Sequence, residues 1–172
     1  NRTEKLVAAL VFGYSFVVYL LTVAPATSFW DSGEFIAIAN RLQVSHPPGA
    51  PFYMLVGRFF SMFMPTDLIA LSVNMVSVLA SAFTVLLLHL IIVRLVREWQ
   101  GHPSTWNAAD RIVALTGGVV GACTFAVTDS FWFNAVEAEV YALSMLFTAA
   151  VVYLILRWRE EAALEEERLN SG

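Results

Sequence analysis

Asp31 and Glu34 stand three residues apart in the stretch Phe29-Trp30-Asp31-Ser32-Gly33-Glu34-Phe35, and His46-Pro47-Pro48-Gly49 follows shortly after. On a helix, residues at i and i+3 share one face, with Cβ atoms about 5–6 Å apart. Two carboxylates so placed can divide labour, one as a general base and one holding a metal or a donor. The same Asp-x-x-Glu spacing before an apolar run is also a capping-box pattern. The two roles are compatible, because a capped helix start still presents a carboxylate. Arg41 lies seven residues after Glu34 on the same face, either as its salt-bridge partner or as a phosphate holder, for which a planar guanidinium is suited. Arg58 is the other cation of this stretch. His46, stiffened by Pro-Pro-Gly, either finishes a helix or faces a substrate.

A second acid-bearing stretch runs Asp129-Ser130-Phe131-Trp132-Phe133-Asn134-Ala135-Val136-Glu137-Ala138-Glu139-Val140-Tyr141. It repeats the Ser-Phe-Trp of residues 28–30. Aromatic belts at membrane interfaces are rich in Trp without any further role. Acids beside a membrane are costlier: an Asp at mid-bilayer costs roughly 2.5–3.5 kcal/mol on insertion scales. Asp129, Glu137 and Glu139 therefore point to a water-filled pocket, with Trp132 and Tyr141 beside it.

The elements that must position these residues are membrane helices. Of 172 residues, 58% are hydrophobic and 14% charged, against roughly 45–50% and about 25% in ordinary soluble domains. Spans of about 17–25 apolar residues cross the hydrocarbon layer. The expected spans are 6–24, 68–93, 112–128 and 140–156, with loops 25–67 and 129–139 between alternate pairs. Ala24-Pro25-Ala26 faintly resembles a signal-peptidase site, but the run before it exceeds the h-region of a signal peptide, so the first span is read as retained. In the first loop, Phe35, Ile38, Ala39 and Leu42 form one stripe of a helix over 31–42. Phe52, Leu55, Val56, Phe59, Phe60 and Phe63 form one over 52–63, with Arg58 and Ser61 on its polar side. Both read as short interfacial helices. Pro65-Thr66-Asp67 reads as a cap for the next span. His89 is expected to reach the headgroups, and Gly117 and Gly121 make a G-x-x-x-G approach face. Residues 99–110 read as a polar loop.

The fold expected is all-α and polytopic. Residues 1–159 make a four-span module, and 160–172 a charged cytoplasmic tail or the start of a linker. With both termini cytoplasmic, eight of the ten Lys and Arg residues lie inside and only Arg41 and Arg58 outside, a clear positive-inside bias. Both acid-bearing loops then face one outer compartment. The net charge of −4 and the lack of a basic patch argue against nucleic acid as a partner. The single Cys123 excludes a disulfide framework. Phosphate-binding loops, dinucleotide fingerprints and zinc-ligand patterns are all missing. A chain that opens at Asn1 without Met is read as a piece of something longer.

Trp30-Asp31-Ser32-Gly33-Glu34-Phe35, His46-Pro47-Pro48-Gly49-Ala50-Pro51 and Phe131-Trp132 with Glu137-Ala138-Glu139-Val140-Tyr141 together resemble the membrane family catalogued as domain of unknown function 2723. That family contains the transmembrane protein 260-like protein O-mannosyltransferases, and the resemblance covers all four spans. Ala50 departs from it, standing where a bulky aromatic such as Tyr is expected. The resemblance implies the N-terminal part of a GT-C-type glycosyltransferase. Such an enzyme moves a sugar, with mannose the candidate, from a polyprenyl-phosphate donor to a Ser/Thr hydroxyl of a secreted protein. It implies Asp31 and Glu34 as the catalytic acids. Trp30, Arg41, His46, Arg58, Asp129, Trp132, Glu137, Glu139 and Tyr141 are candidates for substrate binding. A divalent metal is a candidate cofactor with no ligands assigned, membrane lipid and the remaining spans of a longer chain are expected partners, and the expected setting is a bacterial inner membrane with a periplasmic site. Two rivals stand beside this reading. One is a non-enzymatic membrane subunit whose acids only cap and pair. The other is a transporter fragment, disfavoured because the acids lie in loops.

Overall fold

A computed structural model describes residues 2–28, 30–47, 49–101 and 107–170. Phe29 and Pro48 of the two motifs, residues 102–106 of the polar loop, and 171–172 of the tail lie outside the described residues. The described chain is helical throughout, with seven α-helices. These are α1 (Arg2–Thr22), α2 (Ser32–Arg41), α3 (Pro51–Ser61), α4 (Ile69–Trp99), α5 (Ala108–Ala126), α6 (Asp129–Ala135) and α7 (Val140–Asn170). Four of them, α1, α4, α5 and α7, are long and apolar enough to cross a membrane. The chain is thus a multi-pass, all-α membrane module.

The hub is α4, which packs on α1, α5 and α7 and carries α2 and α3 at one end. Small residues make this closeness possible: Ser72, Ser77, Ala80, Ser81, Ala82 and Thr84 of α4 are all buried. Tight approach of helix backbones is the main source of packing energy where lipid tails compete for apolar contact. The apolar window of α4 is 61% buried and that of α7 only 6%, so α7 presents most of its apolar surface outward.

Several boundaries differ from the pattern in the sequence. The helix expected to begin at 112 starts at Ala108, because the Asn107 side chain accepts the N–H groups of Ala109 and Asp110 while Asp110 accepts that of Asn107. The expected loop 129–139 contains the two-turn α6. The 65–67 segment makes no side-chain cap; a 3-10 turn over Thr66–Leu68 leads into α4 instead. At the far end, α7 continues unbroken past residue 159 to Asn170. Its charged extension touches α4 through Arg94–Glu160, at 3.4 Å, and Arg159–Glu98.

Two packing expectations are corrected. His89 is 1% exposed and lies against α5, not among headgroups. The close-approach glycines are Gly118 and Gly121, not Gly117 and Gly121. A Cβ on Gly118 would sit 2.7 Å from Val93 and 2.8 Å from the His89 ring, whereas one on Gly117 meets nothing nearer than 4.0 Å.

The segment between α1 and α4 is ordered. Phe35, Ile36, Ile38 and Ala39 of α2 pack with Tyr53 and Met54 of α3 against Val73 and Val76 of α4, with Ala138 from the second loop in the same cluster. Leu42, assigned to the buried stripe, is exposed and left-handed at the helix end. The phenylalanine stripe of α3 faces outward. Its inward face is Tyr53, Met54, Gly57 and Ser61, because Gly57 lets α3 approach Ala39 so closely that an added Cβ would lie 2.9 Å from the alanine methyl. An outward Phe52-Leu55-Phe59-Phe63 face suits the membrane interface.

Candidate active site

Asp31 occupies the N-cap position of α2, but its backbone is already helical and its side chain makes no cap bond. Glu34, three residues on, does not reach back to it. The capping-box pattern is present in sequence and not used in structure. Instead the Glu34 carboxylate turns to His46: Oε1 accepts the backbone N–H at 2.9 Å and Oε2 lies 3.0 Å from ring Nδ1. On the other side of the ring, Nε2 is 3.9 Å from Asp31 Oδ2.

The chain returns His46 to the start of α2 by a sharp reversal at its end. Leu42 adopts φ 52°, Gln43 N–H bonds Ile38 O at 2.9 Å, and Leu42 N–H bonds Ala39 O, a Schellman-type ending made without glycine. A turn closed by Gly49 N–H to His46 O at 2.9 Å follows, and there φ of 74° calls for Gly49. Ring contact with Phe35, at 5.9 Å between centroids, flanks the imidazole. The backbone N–H of His46, and then its ring, hold the Glu34 carboxyl below its usual range. Glu34 in turn raises His46.

The second acid loop is fastened to the first. Ala24 N–H donates to Val136 O at 2.8 Å, and the Trp132 indole donates to Thr22 at 3.0 Å. The buried Asn74 of α4 donates to Ala24 O at 2.7 Å and Ala26 O at 3.1 Å. The Ser77 hydroxyl lies 3.4 Å from both backbone groups of Glu139. This leaves Glu137 and Glu139 only 2% and 8% exposed, so these two acids are buried rather than set in an open water-filled pocket. Burial raises Glu137, partly offset by the Ser28 hydroxyl, and its Oε1 has no hydrogen-bond partner. Burial pushes Glu139 up to about 7, helped by the negative charges of Glu137 and Asp31; the N–H of Val140 and His46 oppose it.

The residues singled out in the sequence therefore divide. Asp31, Glu34 and His46 come together, with Glu139 behind them and Glu137 next to it. Trp30 borders them, 86% exposed with φ 60°, a conformation that is costly for a bulky residue. Arg41 sits about 10 Å along α2 from Glu34 and is not its partner; His46 takes that place. Arg58 donates to the carbonyl and side-chain oxygens of Asn40, the latter at 3.2 Å, and so clamps α3 to the far end of α2. Asp129 is exposed at the start of α6. Tyr141 is exposed and shares a shallow cleft with Phe125, Ser130 and Asn134. A cleft of about 1320 Å³ lies at the opposite end of the bundle. Its Arg94, Arg97 and Arg159 are paired with Glu160, Glu4 and Glu98, so we place the candidate chemistry at the acid cluster.

Sequence reasoning missed Asn74 and Ser77, which hold the two loops together. A lone Asn inside an apolar span was the available signal, since polar groups at membrane depth need a partner.

Residues 31–170 match the family model described as protein O-mannosyl-transferase TMEM260 N-terminal domain. A relative from Dictyostelium discoideum, "Protein O-mannosyl-transferase tmem260", is 25% identical over 169 residues, covering 95% of this chain and 18% of its own length. One from Mus musculus, "Protein O-mannosyl-transferase TMEM260", is 30% identical over 156 residues, covering 91% and 20%. The chain thus spans about a fifth of the length of these curated relatives. No solved structure matches it.

Proposed function

This chain belongs to the TMEM260 N-terminal domain family, and from that membership we propose that it carries the acids of a protein O-mannosyl-transferase. The reaction moves mannose from a polyprenyl-phosphate donor to a Ser or Thr hydroxyl at the outer membrane face, in the manner of a GT-C-type enzyme. The hydroxyl oxygen forms a bond to the sugar's anomeric carbon, the bond from that carbon to the phosphate oxygen breaks, and the phosphate leaves with its lipid. The hydroxyl proton passes to a carboxylate.

The observation that carries this reading is the meeting of Asp31, Glu34 and His46, from two ends of one loop, beside the buried Glu139. Glu34 has both oxygens committed to His46. Asp31 has only a 3.9 Å approach to the ring, which leaves it free to accept the proton. A positioned base contributes typically 10²–10⁴ in rate. The basic-residue bias supports an outer location for these acids, with both termini cytoplasmic. The matched relatives come from Mus musculus and Dictyostelium discoideum and give the bacterial expectation no support.

The structural-subunit reading draws on the same Glu34–His46 pair, which could serve only to hold the loop. Asp31→Asn in the full-length protein separates the two, because Asp31 makes no cap bond that Asn would need to replace. The expected result is normal abundance with mannosyl transfer reduced about 10²-fold or more. Wild-type transfer by this variant would remove Asp31 from the chemistry.

A further inference from the structure

We infer that the cleft walled by α1 and α7, at the end of the bundle opposite the acids, seats a further transmembrane helix of the same polypeptide. Ala9 and Phe12 of α1 stand on one wall, Ala163 and Leu164 of α7 on the other, and Phe83 and Leu90 of α4 on the floor. Lipid tails are as apolar as these side chains, so an exposed helix face by itself calls for no protein partner. A recess of helix dimensions is different. An α-helix with its side chains is about 10–12 Å wide. The cleft volume of about 1320 Å³ equals roughly 17 Å of a cylinder about 10 Å across, or about eleven residues. The floor from Phe83 to Arg97 runs about 21 Å, long enough to hold such a segment. Phe83 is 45% exposed although the apolar window of α4 is 61% buried, so the hub helix itself is left uncovered here. The α1 wall admits a close neighbour. Ala9 is exposed, and a Cβ added to Gly13, one turn on along the same face, would meet nothing within 4 Å. Small residues four apart let a second backbone come near, and such packing drives helix association in lipid.

The charges favour a helix over a phospholipid. Four Lys and Arg side chains line the cleft against four Glu. Its three arginines are already paired: Arg97 with Glu4 at 2.7 Å, Arg94 with Glu160 at 3.4 Å, and Arg159 with Glu98. The cleft thus lacks the excess of positive charge by which basic pockets between spans hold anionic head groups. The relatives supply the length for a helix, since both carry about four-fifths of their chain outside the match. A helix joined to this module meets the cleft at a high effective concentration, which favours it over a second copy. The seat does not depend on the transferase reading.

The test puts a photo-cross-linker into the cleft of the full-length protein as Phe83→p-benzoylphenylalanine, one aromatic for another, and maps the adduct by mass spectrometry. The expected adduct joins position 83 to a residue of the same polypeptide outside residues 1–172. Phospholipid adducts, cross-linked dimers or no adduct overturn the proposal. Ala9→Leu and Gly13→Ala give a second readout. Leu and Ala are good helix formers, and both positions are open in this module, so on its own packing neither substitution should do harm. With a helix seated on α1, each should lower the thermal midpoint of the full-length protein by several degrees, as overpacking does. Unchanged midpoints in both variants also overturn the proposal. The adduct decides the matter even where a variant fails to fold.

Discussion

The carboxylate of Glu34 receives both the backbone N–H and the ring of His46, twelve residues away, at 2.9 and 3.0 Å. A loop that carries two prolines and a glycine is thereby tied to the first turn of α2. The pH range of this tie follows from its partners. Glu34 is lowered from 4.5, so its contribution is present above that value and lost as pH falls through the folded pKa. His46 is raised from 6.5, so its contribution is full below that value and lost as pH rises through the folded pKa. In chelator-treated protein, amide exchange of residues 43–47, corrected for intrinsic rates, should be slowest near pH 5–6. Glu34→Gln should abolish that minimum.

Glu139 should behave in the opposite sense. Its folded pKa of about 7 exceeds the usual glutamate value, so between those values the folded state binds more protons than the unfolded one. Stability then falls as pH rises through this window. Thermal unfolding in detergent should show a higher midpoint at about pH 5 than at about pH 8, with the difference reduced in Glu139→Gln. An equal difference in the variant would assign the pH dependence to other groups.

Arg58 is expected to matter for stability and not for donor binding. Its guanidinium bonds Asn40 and it is half-buried, and hydrogen bonds to charged groups contribute about 1.5–3 kcal/mol. Arg58→Ala should lower stability on that scale while leaving KM for the lipid-phosphate donor unchanged. A raised KM at unchanged stability would restore the phosphate role.

The α4–α5 contact distinguishes adjacent glycines. Gly118→Ala forces a methyl within 2.7 Å of Val93 and should destabilise by about 1–3 kcal/mol, the usual cost of overpacking. Gly117→Ala meets open space and should be neutral or gain up to about 1 kcal/mol from helix propensity. Equal effects would mean that the helices pack through a different register.

Topology can be read by labelling single cysteines in a Cys123→Ser background. Val44 and Ala108 are both exposed and lie at opposite ends of the bundle. An impermeant thiol reagent added outside should label Val44→Cys and not Ala108→Cys. Equal labelling would overturn the orientation drawn from the basic residues.

Span number, the two loop helices and the acids of interest were legible because each rests on local pattern. Leu6–Ala24 is apolar over a full span, and Phe35, Ile38 and Ala39 recur at helical spacing. What the pattern hid was which neighbour each polar group would choose. Asp31 and Glu34 have the spacing of a capping box, but the Leu42 reversal brings His46 within reach, and a charge-assisted bond to an imidazole outcompetes the weaker cap. The face of α3 was misread for a related reason. In lipid an apolar stripe need not turn inward, so Gly57 rather than the phenylalanines sets the packed side. The Asn107 cap and the two turns of α6 are short features without a periodic signature.

Asn74 ties the membrane to the acids in a mechanical sense. It projects from α4, a helix of 31 residues whose length of about 46 Å exceeds the roughly 30 Å of hydrocarbon, so its tilt is sensitive to bilayer thickness. One turn lower, Ser77 touches Glu139, and through Ala24 the same strap reaches Val136. Rolling α4 by one residue, about 100°, would release both loops together. The setting of both acid-bearing loops therefore depends on the rotational position of α4 through Asn74 and Ser77.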